Sequence, residues 1–281
     1  MKNIPKICHF CWTKGSPLSK LQYLSVISFN KYNPDWDIVI HVSTQTSAQL
    51  GENTFVSDYT GTDWFPKLKK LPYVFLHYVD LQEIGIGLDK YGVLVSDILR
   101  VKYLYEQGGV YSDFDMLWLK PMTSFEYIKC KGNVKDFDAT VCIYDKRRGY
   151  FHHNASNIVA KKGSLLLGAW LKEQAKITPP YTHQAFNSEL LNKMLPSIEE
   201  VFTKFPNSLL IDYDTFYPYS IYELNKLYIQ DNITCITGNV MGVHWFNGHG
   251  LSHSYVQQNQ KRFLQKCSMT SLLIKEGYEY E

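Results

Sequence analysis

The stretch from Ser96 to Met116, SDILRVKYLYEQGGVYSDFDM, leaves this chain few ways to fold. Leu94, Ile98, Val101 and Tyr105 recur at helical spacing, which predicts an apolar stripe on a core-facing helix. Gly108 and Gly109 follow; both are free to adopt positive φ and stop that helix. Val110–Tyr111 restart the chain as a short strand that runs into Asp113-Phe114-Asp115. Side chains alternate along a strand, so Asp113 and Asp115 are expected on one side, about 7 Å apart. Paired carboxylates at a strand exit repel each other unless a cation neutralises them. Oxygen donors suit Mg²⁺ or Mn²⁺, ions that keep one or two protein carboxylates together with substrate phosphates. Asp97 and Arg100, three apart on the helix, are surface neighbours of opposite charge.

The order helix, Gly-Gly stop, strand, Asp-x-Asp carries more than its parts, since a lone Asp-x-Asp is also a common surface turn. Ser96, Asp97, Arg100, Leu104, Gly108, Gly109, Tyr111, Asp113 and Asp115 together resemble the signature of the DXD-containing family 32 glycosyltransferases, of the capsular polysaccharide type. The glucosylating clostridial toxins share that signature. Ile4 to Trp12, IPKICHFCW, is similar to the opening of the same family. The resemblance implies that Trp12 stacks on or beside uracil while the Cys11 backbone meets the base edge; such stacking is worth about 1–3 kcal/mol. It further implies that Asp115 holds the metal, and that Asp113 contacts ribose or sugar hydroxyls and supports the ion. Asp97 and Arg100 would fix the donor sugar, with Ser96 and Tyr111 beside it. His-Asn-Ala at 153–155 resembles the segment in which an Asn meets the donor sugar, which makes Asn154 the candidate.

Val240 to Gly250, VMGVHWFNGHG, reads as an apolar strand ending in His244, then a glycine-rich loop with His249. Retaining transferases with the same core close the metal shell from such a segment, and His244 matches the His position. The usual Ser-Trp is replaced here, so His249, Asn247, Ser252 or a water stands open as the second ligand.

Elsewhere the pattern alternates strands and helices. Strands are expected at Ile4–Trp12, Asp37–Val42, Tyr73–Val79 and Ala139–Tyr144, and helices at Ser19–Tyr32, Leu165–Lys176, His183–Lys204 and from Tyr255 to Lys266 or beyond. Strand, helix, strand with short links predicts a parallel sheet, and ligands in such sheets lie at the carboxyl ends of strands. Residues 44–70 read only as loop and short helix.

The 281 residues suffice for one large domain, and a net charge of +2 shows no nucleic-acid footprint. No apolar run approaches the roughly 20 residues of a membrane helix, and the N-terminus lacks the apolar region of a signal peptide. A cytoplasmic chain, with at most peripheral contact at the inner face of a membrane, is expected; Lys261, Arg262 and Lys266 could meet acidic lipid heads or simply solvent. Cys8-x-x-Cys11 has no second closely spaced pair and reads as reduced thiols packed around a strand.

These features lead to one expectation: an α/β chain of GT-A fold, a mostly parallel Rossmann-like sheet flanked by helices. Residues 1–120 would form the nucleotide-sugar half, 121–254 the acceptor half and metal-closing loop, and 255–281 a helical tail. The resemblance implies a retaining glycosyltransferase using Mn²⁺ or Mg²⁺, a nucleotide-sugar donor such as a UDP-sugar, and a glycan acceptor that can be lipid-linked. Such a chain would build surface or capsular polysaccharide; a toxin-like role on proteins fits less well, as no delivery domain is visible. The alternatives are an Asp-x-Asp phosphatase or phosphotransferase and a non-catalytic carbohydrate-binding protein. The first wants Thr or Val where Leu117 stands; the second gives no role to Asp97, Arg100, Asp113 and Asp115.

Overall fold

The computed structural model describes residues 1, 3–13, 16–45, 59–87, 89–90, 92–145, 150–259 and 265–278, with backbone alone for 143–145 and 150–154. The chain opens with β1 (Ile7–Trp12), α1 (Lys20–Tyr32), β2 (Asp37–Ser43), α2 (Phe65–Leu68), β3 (Val74–Val79), α3 (Gly92–Gln107) and β4 (Gly109–Ser112). Next come β5 (Met116–Trp118), β6 (Cys130–Lys131), β7 (Thr140–Asp145), β8 (Tyr150–Asn154) and β9 (Asn157–Ala160). After α4 (Leu165–Gln174), α5 (Ser188–Met194) and α6 (Ile198–Lys204) lie β10 (Leu209–Asp212), α7 (Leu224–Tyr228), β11 (Gly242–His244), α8 (Gly250–Gln258) and α9 (Ser268–Lys275).

The main sheet has the order β3-β2-β1-β4-β9. Its first four strands are parallel, and β9 closes it antiparallel to β4. The expected α/β class is therefore observed, with a mostly parallel Rossmann-like sheet and helices against it. The order reverses at β1, whose neighbours are β2 and β4, and such a switch point opens a crevice at the carboxyl ends of the strands. Trp12 ends β1 there and Asp113 follows β4 there. A smaller sheet, β6-β10-β7-β8, and the ribbon β11-β5 complete the described residues.

Local chemistry explains these elements. Ser19 caps α1 in a reciprocal box with Gln22: Gln22 N donates to Ser19 Oγ at 3.3 Å and Ser19 N to Gln22 Oε1 at 3.0 Å. Leu21, Leu24, Val26 and Phe29 of α1 are buried. On α3 the buried face is Leu94, Val95, Leu99, Val101 and Leu104, while Tyr105, expected inward, is 38% exposed near the C-terminal end. Gly108 ends α3 at φ +73 and donates to the Leu104 carbonyl at 2.8 Å. Gly109 is stricter: a Cβ there would lie 2.3 Å from the Ile7 carbonyl oxygen, at φ +106. β1 and β4 can approach this closely only because position 109 has no side chain.

Three histidines cross the sheet. Gly108 O fixes the series by accepting from His9 Nε2 at 2.9 Å. His9 Nδ1 must then accept from His41 Nε2, and His41 Nδ1 from His77 Nδ1, each at 3.0 Å. His9 and His41 are fully buried, and His41 stacks on Tyr103 with ring centroids 3.7 Å apart. Burial lowers the His9 pKa to about 4; burial, reinforced by both neighbouring histidines, lowers that of His41 to about 2.

Several expectations need correction. The first strand begins at Ile7, not Ile4. The single helix read over 183–204 is two, α5 and α6, interrupted around Leu195-Pro196-Ser197 where proline cannot continue the hydrogen-bond ladder. The last helical region is α8 plus α9, with α8 starting at Gly250; Lys261 and Arg262 lie outside the described residues. All six cysteines are free, and Cys8 and Cys11 are buried.

Candidate active site

Asp113 and Asp115 do not stand on a strand. β4 ends at Ser112 and β5 begins at Met116, so the motif is a turn between them. Its position is set by α1, whose small buried serines face it. Ser25 Oγ donates to the Phe114 carbonyl at 2.6 Å, and Ser28 Oγ accepts from Trp118 N at 3.0 Å. Trp118 Nε1 in turn donates to Ser112 Oγ at 3.2 Å, and Asp113 N to the Ser156 carbonyl at 3.0 Å. Backbone groups on both sides of the turn are thus satisfied from fixed elements, and the carboxylates are aimed by packing rather than by strand alternation.

β11 runs antiparallel to β5 and brings His244 opposite Met116. His244 Nε2 lies 3.1 Å from Asp115 Oδ1. The next loop bends sharply at Phe246, a non-glycine residue with φ 53. That bend turns Asn247 N toward Asp115 Oδ2, to which it donates at 2.9 Å. One ligand atom from each of Asp113, Asp115 and His244 lies within 4.8 Å of the others. His249 lies along the same cavity but outside this cluster; its Nδ1 accepts from Leu251 N at 3.2 Å and caps α8.

Asp97 and Arg100, expected as a surface pair, are 1% and 3% exposed. Arg100 NH2 sits 2.8 Å from Asp97 Oδ1 and 3.2 Å from Asp113 Oδ1, and Arg100 NH1 donates to the Ala155 carbonyl at 2.7 Å. Ser96 Oγ accepts from Arg100 NH2 at 3.1 Å, and the guanidinium lies 4.5 Å from the Tyr111 ring centroid. Tyr111 OH donates to Asp113 Oδ1 at 2.6 Å. Ser96 and Tyr111 therefore position Arg100 and Asp113.

Asn187 is a residue the sequence did not single out. It donates through Nδ2 to Asp97 Oδ1 at 3.0 Å. Asp97 Oδ2 and Asn187 Oδ1 are buried with no hydrogen-bond donor. Two orphaned acceptors in a cavity wall call for hydroxyl or N–H donors from a ligand.

Electrostatics separates the carboxylates. Burial raises Asp97 to about 7 despite the Arg100 charge. Burial also raises Asp113, opposed by Arg100. Burial pushes Asp115 up too, but His244 and the Asn247 N–H outweigh it and hold Asp115 below the usual range.

These groups line a cavity of about 660 Å³, within the range of small-molecule sites. Cys11 and Trp12 lie along it. Trp12 is 7% exposed, stacked on Phe65 with centroids 6.1 Å apart and edge-on to Phe114 at 5.1 Å. Among the described lining residues Arg100 is the one Lys or Arg side chain, beside three aspartates of which it contacts Asp97 and Asp113. Asn154 pairs its backbone with Cys142, and its side chain lies outside the described residues.

Residues 1–132 match the model of a family described as "Glycosyltransferase sugar-binding region containing DXD motif". The matched stretch includes Asp97, Arg100, Asp113 and Asp115. A curated relative, named "Toxin", from Photorhabdus asymbiotica is 28% identical over 145 residues, which cover 48% of this chain and 5% of the toxin. The match therefore spans a small fraction of that relative's length. Among solved structures, PaToxG glycosyltransferase aligns at TM-score 0.47 and 17% identity, covering 72% of this chain and 73% of that one. Galactosyltransferase LgtC, solved with donor and acceptor sugar analogs, aligns at TM-score 0.42 and 12% identity, covering 85% and 87%. The glycosyltransferase domain of the YGT toxin aligns at 0.40 and 11%, covering 62% and 63%.

Proposed function

We propose that this chain is a retaining, metal-dependent hexosyltransferase of the GT-A kind that moves a hexose from a UDP-sugar to a glycan acceptor in surface or capsular polysaccharide synthesis. The observation that carries the reading is the convergence of Asp113, Asp115 and His244 within 4.8 Å at the switch point of the parallel sheet. The donor set fits a divalent ion: two carboxylates, and an imidazole whose Nε2 lies 3.1 Å from Asp115 Oδ1. An imidazole among oxygen donors suits Mn²⁺ better than Mg²⁺. The charge balance supports the same conclusion. A UDP-sugar diphosphate brings two negative charges to three aspartates and one arginine. Bound at this cluster, the ion would neutralise the diphosphate and the charge that develops on the leaving UDP.

The other residues act on the donor. Trp12, at the end of β1, offers its indole to the base, and the Cys11 backbone offers hydrogen bonds to the base edge. Asp97 and Asn187 accept from hexose hydroxyls through their orphaned oxygens. Arg100, pinned by Ser96, Asp97 and Asp113, holds these acceptors in place, and Asn154 is proposed to face the same sugar. Each cavity carboxylate already has a cationic or imidazole partner, which supports front-face departure and attack assisted by the leaving phosphate over a covalent glycosyl-aspartate.

In this reading residues 1–120, with Asn154 and Asn187, serve the donor, the rest of 121–254 serves the acceptor and the closing loop, and the tail proposed from residue 255 starts inside α8. No helix among the described residues is long and apolar enough to cross a membrane; contact with a lipid-linked acceptor would then be peripheral, from the cytoplasmic face. The test is a thermal-shift panel of UDP-, GDP-, CMP- and dTDP-sugars with and without Mn²⁺. Stabilisation by UDP-sugars that requires Mn²⁺ is expected, and a shift by another nucleotide class alone would reject the donor.

A further inference from the structure

Two exposed apolar side chains stand on the wall of the cavity that holds the carboxylate cluster. Tyr222 is 74% exposed and Ile221 is 40% exposed, and both line it. They occupy a single 3-10 turn, Ile221–Glu223, whose neighbours are fixed. Tyr219 before it is 2% exposed and donates through its hydroxyl to the Asn232 carbonyl at 3.0 Å. Ser220 is 3% exposed and donates from Oγ to Glu223 Oε2 at 2.9 Å, while Glu223 Oε1 accepts from Lys226 Nζ at 2.7 Å. Leu224 after it is 1% exposed. A capped turn, anchored on both sides, thus throws its two middle side chains outward. Single exposed apolar residues need no explanation; two on a rigid turn in a cavity wall form a prepared surface that loses little freedom on binding.

We propose that Tyr222 is the platform for the acceptor, and that the acceptor presents a neutral pyranose ring to it. This rests on the transferase reading above. Ring C–H bonds of a sugar, polarised by the adjacent oxygens, carry partial positive charge that suits the negative face of a phenol. Gln184 and Ser188, joined by a hydrogen bond from Ser188 Oγ to Gln184 Oε1 at 2.9 Å, line the same cavity and supply polar groups for hydroxyls. Asp97, Asp113 and Asp115 disfavour an acidic acceptor. Size separates a sugar from a protein partner. A protein interface covers about 800 Å² per side with several apolar anchors. Here Ile221 and Tyr222 are the exposed large apolar residues of the cavity wall among the described residues, which is enough for one ring.

The experiment measures binding of methyl α- and β-pyranosides of glucose, galactose and N-acetylglucosamine to the full chain in the presence of UDP and Mn²⁺, by saturation-transfer NMR and calorimetry. At least one should bind the wild type. Tyr222→Ala should weaken it about tenfold, the loss of one ring contact, and Tyr222→Phe should stay within about threefold. In transfer assays the acceptor KM should rise in Tyr222→Ala by the same factor while the donor KM moves less than about twofold. Equal affinity in Tyr222→Ala and wild type overturns the proposal. So does the absence of pyranoside binding to the wild type, or transfer to a hydroxyl-bearing peptide in preference to every pyranoside. Donor hydrolysis without acceptor is assayed separately, so failure of the transferase reading shows as no turnover of any nucleotide sugar.

Discussion

His244 Nε2 lies 3.1 Å from Asp115 Oδ1, although the two residues are 129 positions apart in the chain. The contact is made because β11 pairs with β5, directly after the Asp-x-Asp turn. Replacing His244 by Ala should raise the Mn²⁺ concentration for half-maximal turnover by about tenfold or more, the scale of one lost ligand interaction. His249→Ala should leave that requirement near wild type and lower stability by about 0.5–2 kcal/mol through the lost α8 cap. Metal titrations and melting curves of the two variants separate these roles; equal Mn²⁺ requirements would assign His244 to packing alone.

Trp12 packs on Phe65 and Phe114 and also lines the cavity. Trp12→Ala should therefore do two things: lower stability by about 3–5 kcal/mol and weaken UDP binding by about 1–3 kcal/mol. Calorimetry below the melting transition checks the second effect. An unchanged dissociation constant would make Trp12 a core residue only.

Asn187→Ala removes an orphaned acceptor and leaves the Asp97 carboxylate one donor short. The kcat/KM for the UDP-sugar should fall by about ten- to a hundredfold, or about 1.4–2.7 kcal/mol, while affinity for UDP alone stays the same. Parallel loss of UDP affinity would place Asn187 at the nucleotide rather than the sugar.

The buried histidines predict acid sensitivity. Unfolded histidines titrate near 6.5, whereas His9 and His41 in the fold titrate at about 4 and about 2. From pH 6.5 down to about 4 the unfolded chain binds more protons, so both residues withdraw stability as pH falls, each by up to about 1.4 kcal/mol per pH unit. Asp97, raised to about 7, acts oppositely: its burial is relieved by protonation in the same window. Urea denaturation at pH 7, 6 and 5 should show a net loss toward pH 5, with a shallower slope in His41→Asn. Identical slopes would mean that His41 binds its proton equally in the folded and unfolded chain.

Which residues converge was more legible in the sequence than how they are placed. Helical period and the Gly-Gly stop announced α3 and β4, and Gly109 shows why: any side chain there would meet the Ile7 carbonyl. The Asp-x-Asp pair was legible as chemistry but misread as a strand, because the serines of α1 that hold the turn lie far back in the chain. Asp97 and Arg100 were legible as helix-surface neighbours, but local spacing says nothing about what covers a helix; α4 packs on α3, and Asn187, just before α5, reaches Asp97. Asn187 carried no signal of its own. An Asn before a short apolar helix reads as a cap, and only the fold brings it to Asp97, 90 residues away. The three histidines, one on each of β1, β2 and β3, could be linked only once those strands were known to be adjacent.

In the proposed reading Asp113, Asp115 and His244 hold a divalent ion on which nucleoside-diphosphate binding depends. The direct measurement is calorimetric titration of UDP into the protein with saturating Mn²⁺ and again with a chelator. One saturable site is predicted with Mn²⁺, lost with chelator and in folded Asp115→Asn. UDP binding of equal strength without metal, or undiminished in Asp115→Asn, would contradict it.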